Sequence, residues 1–310
     1  MLLISLFGAI LPMLIYLYFL YKFDKNEPEP IKFVIYHFFY GATAAVILGI
    51  LGSKTLSAPL EYIFSEETNS ILKIILVAPF IEEISKASLL FKTINGKNVD
   101  NLTDGLVYGG AIGLGFGMTE NFLYFFLYGA TINVFLPLFL MRTIFSAVMH
   151  GLATATVGGL MSLAKYSSKA KKIATTTLGL LVAMFIHFVW NFSVSFSATL
   201  IIGILFMVLI FIVFILVYYF SIKFENKVIK KELTNEIPNN LLNNIINSSS
   251  ASKNWFISPH KKQFVKKAIL LAFRKHEVDI SVKNRELYTN EIEQLRVEIS
   301  ELIKLNNNSK

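Results

Sequence analysis

Two adjacent carboxylates and a lysine interrupt the otherwise apolar run APFIEEISKASLLF, as Glu82, Glu83 and Lys86. A charge near a bilayer centre costs about 3 kcal/mol on insertion scales, so acids there face protein or water and usually act. Lys86 follows one helical turn later and can neutralise one acid as an internal ion pair that ties helices together. The second acid has no such explanation. Farther on, GFGMTENFLYF carries Glu120 and Asn121, and Arg142, Ser146 and His150 recur at intervals of four along one helical stripe. His187 and Asn191 are also four apart. His37 reads as a satisfied packing residue, and Asp104 as a helix N-terminal cap rather than a catalyst.

These residue types fit peptide hydrolysis inside a membrane. That reaction needs a base to activate water, a donor for the developing oxyanion and an acid for the leaving amine. Paired glutamates can exchange a proton with water, while histidine and asparagine donate hydrogen bonds toward an oxyanion. Other protease chemistries lack their signatures: there is no GxSxG elbow, no HExxH and no cysteine. Asp104 is the only aspartate close to an apolar run between the first loop and the tail, which removes an aspartyl dyad. The glutamates and histidines could also hold one metal ion, such as zinc, although their spacing matches no recognised ligand motif. No cofactor is assured by the sequence.

The elements that must position these groups follow from composition. The chain has 310 residues, 54% hydrophobic and 16% charged, with a mean hydropathy of +0.57. Soluble domains break up their apolar sequence more often than this, so an ordinary cytosolic globule is excluded. Apolar runs cover Leu2 to Phe23, Ile31 to Leu51, Ile71 to Ile94, Leu106 to Tyr128, Val134 to Ala164, Ile173 to Ser195 and Ala198 to Phe220. We expect an all-α, polytopic transmembrane bundle of about seven spans over residues 1–222, with the protease-like core at about 70–196. The fifth run is longer than a bilayer requires, so it must tilt, kink near Pro137 or begin outside the hydrocarbon. Gly109, Gly110, Gly113, Gly115 and Gly117 let the fourth helix approach its neighbours closely. Counting rise per residue places Glu83, Glu120, His150 and His187 between mid-bilayer and the outer leaflet, where they can converge.

Lysines test the topology, because basic loops stay in the cytoplasm. One side receives Lys22, Lys25, Lys32, Lys92, Lys97, Lys165, Lys169, Lys171 and Lys172, and the other only Lys54 and Lys73. The N-terminus is expected outside and the C-terminus in the cytoplasm. The formal net charge of +8 speaks to orientation and anionic lipid, and no nucleic-acid partner is expected. Residues 223–310 form a polar, basic cytoplasmic tail with a short helical part, joined through a linker at 234–252. Within it, Lys261 to Lys275 places Phe264, Ala268 and Leu271 among lysines, as either a membrane-surface helix or a helix packed on another would. Tyr288, Ile292, Leu295, Ile299 and Leu302 allow a short coiled-coil seam.

Four segments carry a family resemblance: EEISK (Glu82 to Lys86), DGLVYGGAIGLGFGMTEN (Asp104 to Asn121), Arg142 through MHGLATATVGG (Met149 to Gly159), and HFVWN (His187 to Asn191). In this order, over roughly Ala78 to Ser193, they resemble the PrsW family of intramembrane proteases, itself similar to the CAAX prenyl endopeptidase and bacteriocin-immunity superfamily. The resemblance implies that Glu82 and Glu83 activate water, with Glu120, His150 and His187 completing the site. Lys86, Asn121, Arg142 and Asn191 are the supporting or oxyanion-binding candidates. Where CAAX-type relatives offer a histidine, this chain has Glu120, a departure that speaks against a prenyl-protein substrate. The resemblance also implies a membrane-anchored substrate, such as an anti-sigma factor, in a bacterial cytoplasmic membrane.

Two readings from other classes compete with the peptidase. Intramembrane acids, lysine and histidines also build proton relays in transporters, though no internal repeat is apparent. A catalytically idle scaffold would use the polar cluster for stability and the tail for recruiting a protein partner or the membrane surface.

Overall fold

All seven apolar runs are helical. The structure, a computed structural model, describes residues 1–24, 26, 28–96, 99, 101–246, 255–257, 260–280 and 285–308. Helix α1 is Leu2–Phe23, and α2 (Ile31–Tyr40) passes through a π turn, Gly41–Ala45, into α3 (Val46–Ser57). Next, α4 (Glu66–Leu72) passes through a second π turn, Lys73–Val77, into α5 (Ala78–Ile94). Helix α6 is Leu102–Tyr128, and α7 (Ile132–Met141) leads through a third π turn, Arg142–Ser146, into α8 (Ala147–Leu163). The chain then forms α9 (Lys169–Ser195), α10 (Leu200–Leu233), α11 (Asn239–Ile246), α12 (Lys261–Ile280) and α13 (Arg285–Asn308). No strand occurs among the described residues.

Among the described residues, five helical stretches are long and apolar enough to cross a membrane: Leu2–Lys22, Ile31–Tyr62, Ile132–Leu163, Lys169–Ser195 and Ser197–Leu233. The other two runs, in α5 and α6, carry the acids, the lysine and the whole glycine ladder. Burial by protein explains how α6 tolerates that composition: residues 103–117 are all buried, so its neighbours, rather than lipid, face it. Its start is fixed by a capping box in which Asn101 and Asp104 each accept the other's backbone N–H, at 3.1 and 3.0 Å. Asp104 therefore caps this helix end from its first turn.

The chain divides into two compact units, one of Met1–Asp24 and Pro28–Val217, the other of Lys25–Glu27 and Tyr218–Lys310. In the first unit α6 is central and packs on α8 through its glycines. A Cβ at Gly109 would run into the carbonyl of Thr154, and one at Gly113 into that of His150. Only glycine permits this approach, which sets the backbone of His150 directly against α6. His37 donates or accepts at both ring nitrogens, with Phe33 O and Thr93 Oγ1 each at 2.7 Å, and stays a packing residue.

The second unit has its own core. Val228, Ile229 and Leu233 of α10 join Leu241, Leu242 and Ile245 of α11, Phe264, Ala268 and Leu271 of α12, and Ile292, Leu295, Ile299 and Leu302 of α13. The apolar face of α12 is thus covered by its own unit, which decides against the membrane-surface helix. The seam on α13 serves that same packing. Residues 239–246, within the stretch read as a linker, are helical and contribute to the core, while 247–252 lie outside the described residues.

Candidate active site

The site is assembled from α5, α6, α8 and α9. Glu83 and Lys86 of α5 are fully buried, three residues apart, with Lys86 Nζ 2.7 Å from Glu83 Oε1. His187 Nδ1 of α9 lies 2.9 Å from the same oxygen, and Thr154 Oγ1 of α8 donates to Oε2 at 3.3 Å. Glu83 is therefore an acceptor at both oxygens. Because its carboxylate takes the Nδ1 proton of His187, the lone pair of that ring is left on Nε2.

His150 of α8 is held from both sides. Lys86 Nζ lies 2.9 Å from its Nδ1, and an ammonium can only donate, so the ring proton sits on Nε2. That proton goes to Glu120 Oε2 of α6 at 2.5 Å. The two imidazoles meet edge to face with centroids 4.8 Å apart. Lys86 also stands over the Phe116 ring at 4.1 Å, which keeps its ammonium off lipid.

Glu120 also pairs with a cation, Arg142 Nη2 at 2.7 Å. That contact lacks the alignment of a hydrogen bond, leaving Nη2 with hydrogens to offer elsewhere. Arg142 is fixed by donating from Nε to Asn121 Oδ1 at 3.0 Å and by lying 3.7 Å over Tyr124.

Glu82 differs from its neighbour. Its Oε2 is buried and has no hydrogen-bond partner, with Lys86 Nζ at 3.7 Å and His187 Nε2 at 3.9 Å. The orphaned oxygen and the free His187 lone pair point at the same space. Ligand atoms of Glu82, His150 and His187 lie within 4.8 Å of one another. Two nitrogens and one oxygen are the donor set of several zinc hydrolases, so these residues fit a divalent ion, which His150 would meet as a neutral ligand by taking a proton at Nδ1 from Lys86 as Nε2 gives up its own.

The structure thus brings Glu82, Glu83, Lys86, Glu120, Asn121, Arg142, His150 and His187 together by direct contact. It does not bring Asn191, which donates from Nδ2 to the backbone oxygen of Ile74 at 2.9 Å. Ser146 accepts from Trp190 Nε1 at 3.0 Å instead of facing the cluster. Thr154, Phe116 and Tyr124 were not singled out from sequence. Thr154 was discoverable, since it continues the His150 stripe by four residues. A separate apolar cavity of about 500 Å³, bordered by Tyr16, Leu114, Phe145 and Met207, includes none of the cluster's side chains.

Buried glutamates and histidines on packed apolar helices define a membrane-embedded polar centre of the kind hydrolases use. A family model described as "PrsW family intramembrane metalloprotease" matches residues 29–218, well over half of the chain. The chain belongs to that family. It is similar to the curated "Protease PrsW" of Clostridioides difficile (strain 630), with 27% identity over 59% of this chain and 76% of the relative. Those of Bacillus subtilis (strain 168) and Oceanobacillus iheyensis are 25% and 29% identical, each over 60% of this chain and 80% of the relative. No solved structure matches the chain significantly. The protein is accordingly an integral membrane protein and an intramembrane protease, and the transporter and scaffold readings give way. Residues beyond 218 lie outside the family match.

Proposed function

We propose that the chain hydrolyses a peptide bond of a membrane-anchored protein, with Glu82 taking the proton of the attacking water. The observation that carries this reading is Glu82 Oε2, buried without a hydrogen-bond partner and 3.9 Å from the lone pair of His187 Nε2. A carboxylate that is already hydrogen-bonded cannot accept a proton without losing those bonds, and Glu83 is so engaged. Glu83 then orients His187 and anchors Lys86. The proton that Glu82 takes from the water is then returned to the leaving amine, and the spare Nη2 hydrogens of Arg142 are placed to meet a developing oxyanion.

Glu82, His150 and His187 are the residues that would hold the metal named in the family's description, Glu82 through one carboxylate oxygen, so that the other would still take the water's proton. When bound there, a divalent ion supplies Lewis acidity and a water ionisable near neutral pH.

The substrate class we favour is a single-span regulator such as an anti-sigma factor, in keeping with the family resemblance. Seven spans, with the N-terminus outside and the C-terminus inside a bacterial cytoplasmic membrane, match the lysine distribution. Residues 223–310 act in recruitment or regulation, so a chain ending at Leu233 should still cleave a minimal substrate.

The test is purification of the full chain in detergent, metal analysis, and mass spectrometry of fragments from single-span substrates. Cleavage is expected with wild type and none with Glu82→Gln. Undiminished cleavage by Glu82→Gln would remove Glu82 from the reaction.

A further inference from the structure

Three of the helical stretches that build or flank the cluster contain a π turn, and each turn has a carbonyl bound by a side chain from another helix. Thr119 Oγ1 donates to Ala42 O at 2.7 Å, Asn191 Nδ2 to Ile74 O at 2.9 Å, and Asn121 Nδ2 to Arg142 O at 3.5 Å. Ala42, Ile74 and Arg142 lie within the turns Gly41–Ala45, Lys73–Val77 and Arg142–Ser146. The donors are not scattered. Thr119 and Asn121 flank Glu120, and Asn191 follows His187 by one helical turn.

The second turn shows why a donor is needed. In it, the N–H of Ala78 reaches back five residues to Lys73 O. The next residue, Pro79, has no N–H. Ile74 O is thereby left without the backbone donor that would continue the ladder. An unpaired carbonyl among helices in lipid costs several kcal/mol, and Asn191 removes that cost. A π turn inserts one residue, which rotates everything after it by about 100° relative to a regular helix. The face of α5 that carries Glu82 and Glu83 toward His187 depends on that rotation.

We infer that Asn191 is a positioning residue: its bond to Ile74 O locks the π turn before α5, and so sets Glu82 and Glu83 against His187. Thr119 bonds a carbonyl of the first turn, and Asn121 adds a 3.5 Å contact to Arg142 O, which the N–H of Ala147 already reaches. Helix α9 is then clamped at two points, to α5 by the Glu83 to His187 contact at 2.9 Å and to the π turn before α5 by the Asn191 staple at 2.9 Å. This deepens the proposed function, since it concerns the registry of the same cluster.

The experiment compares wild type, Asn191→Leu, Asn191→Gln, Pro79→Ala and the Pro79→Ala, Asn191→Leu double variant as full-length proteins in detergent. Leucine keeps the volume but cannot donate, glutamine retains the amide donor, and alanine at 79 restores a backbone N–H beside Ile74 O. Amide exchange over residues 73–82 is measured together with kcat and KM on a single-span substrate. Asn191→Leu should speed exchange over 73–82 and lower kcat by about 10²-fold, the scale of a small misplacement of reacting groups, with KM within about twofold. Asn191→Gln should recover most of both, and the double variant should lose less than the single losses combined. Wild-type exchange over 73–82 in Asn191→Leu would overturn the inference, and a fall in kcat alongside it would make Asn191 a direct donor to substrate. Faster exchange with unchanged kcat would overturn it too, leaving Asn191 purely structural. If wild type cleaves nothing, the peptidase reading fails, and the exchange comparison still decides the staple.

Discussion

His187 Nδ1 lies 2.9 Å from Glu83 Oε1, and this contact turns the opposite ring nitrogen toward Glu82. The two neighbouring glutamates therefore do different work, one holding the imidazole and the other sharing space with its lone pair. Substitution should separate them. Glu82→Gln is expected to abolish cleavage with little change in Tm, because the lost oxygen had no hydrogen-bond partner. Glu83→Gln should abolish cleavage and also lower Tm, since the amide loses the charge that pairs with Lys86 and keeps only one of the two oxygens that Lys86, His187 and Thr154 share. Thermal unfolding in detergent beside the fragment assay checks this, and equal Tm losses would contradict it.

Lys86 carries the charge balance of the cluster from a fully buried position. Removing one partner of a buried ion pair costs about 3–5 kcal/mol, because the other charge is left uncompensated. Lys86→Met should accordingly accumulate poorly and unfold early. Adding Glu83→Gln to it should restore part of the stability, although not the activity. Strict additivity of the two Tm changes would mean that the pair is not coupled.

Orientation can be read with single cysteines, because the native chain has none. Tyr62 is 92% exposed between α3 and α4, and Ser168 is exposed before α9. A membrane-impermeant thiol reagent applied to intact cells should label Tyr62→Cys and not Ser168→Cys. The reverse pattern would invert the topology.

The second unit should be sensitive to acid. Glu236 accepts from Arg296 Nη2 at 2.6 Å, from Arg296 Nε at 2.9 Å and from Lys275 Nζ at 2.9 Å. The Arg296 hydrogen bonds, aided by Lys275 and opposed by desolvation, hold the carboxyl at about 2, below its ordinary 4.5. A depressed carboxylate stabilises the fold fully above its unfolded value, and that contribution is lost as pH falls from about 4.5 through about 2. With Trp190→Phe, Trp255 remains as the only tryptophan and reports on this core. Its denaturation midpoint should fall across that window, and Glu236→Gln should flatten the dependence. An unchanged slope in Glu236→Gln would rule the contact out as the cause.

Much of this molecule is legible in its sequence because lipid makes charge conspicuous. Helicity of all seven runs follows from their length and apolarity, and Glu82, Glu83, Glu120, His150 and His187 announce themselves as groups that hydrocarbon would reject. The glycines of α6 announce close packing in the same way. What the sequence leaves open is partnership, since a side chain's partner belongs to another helix and its direction depends on the registry of both. Glu82 and Glu83 are chemically identical and adjacent, and only the placement of His187, Thr154 and Lys86 leaves one hydrogen-bonded at both oxygens and the other with an oxygen that has no hydrogen-bond partner. Asn191 looked like a donor to the reaction, yet the π turn before α5 presents it with the oxygen of Ile74. Such a turn has no residue code, so the rotation it imparts, and the faces that meet because of it, are decided only when the helices pack. Phe264, Ala268 and Leu271 make the same point in the tail: the amphipathic pattern of α12 specifies an apolar face, and tertiary packing on α10, α11 and α13 decides what covers it.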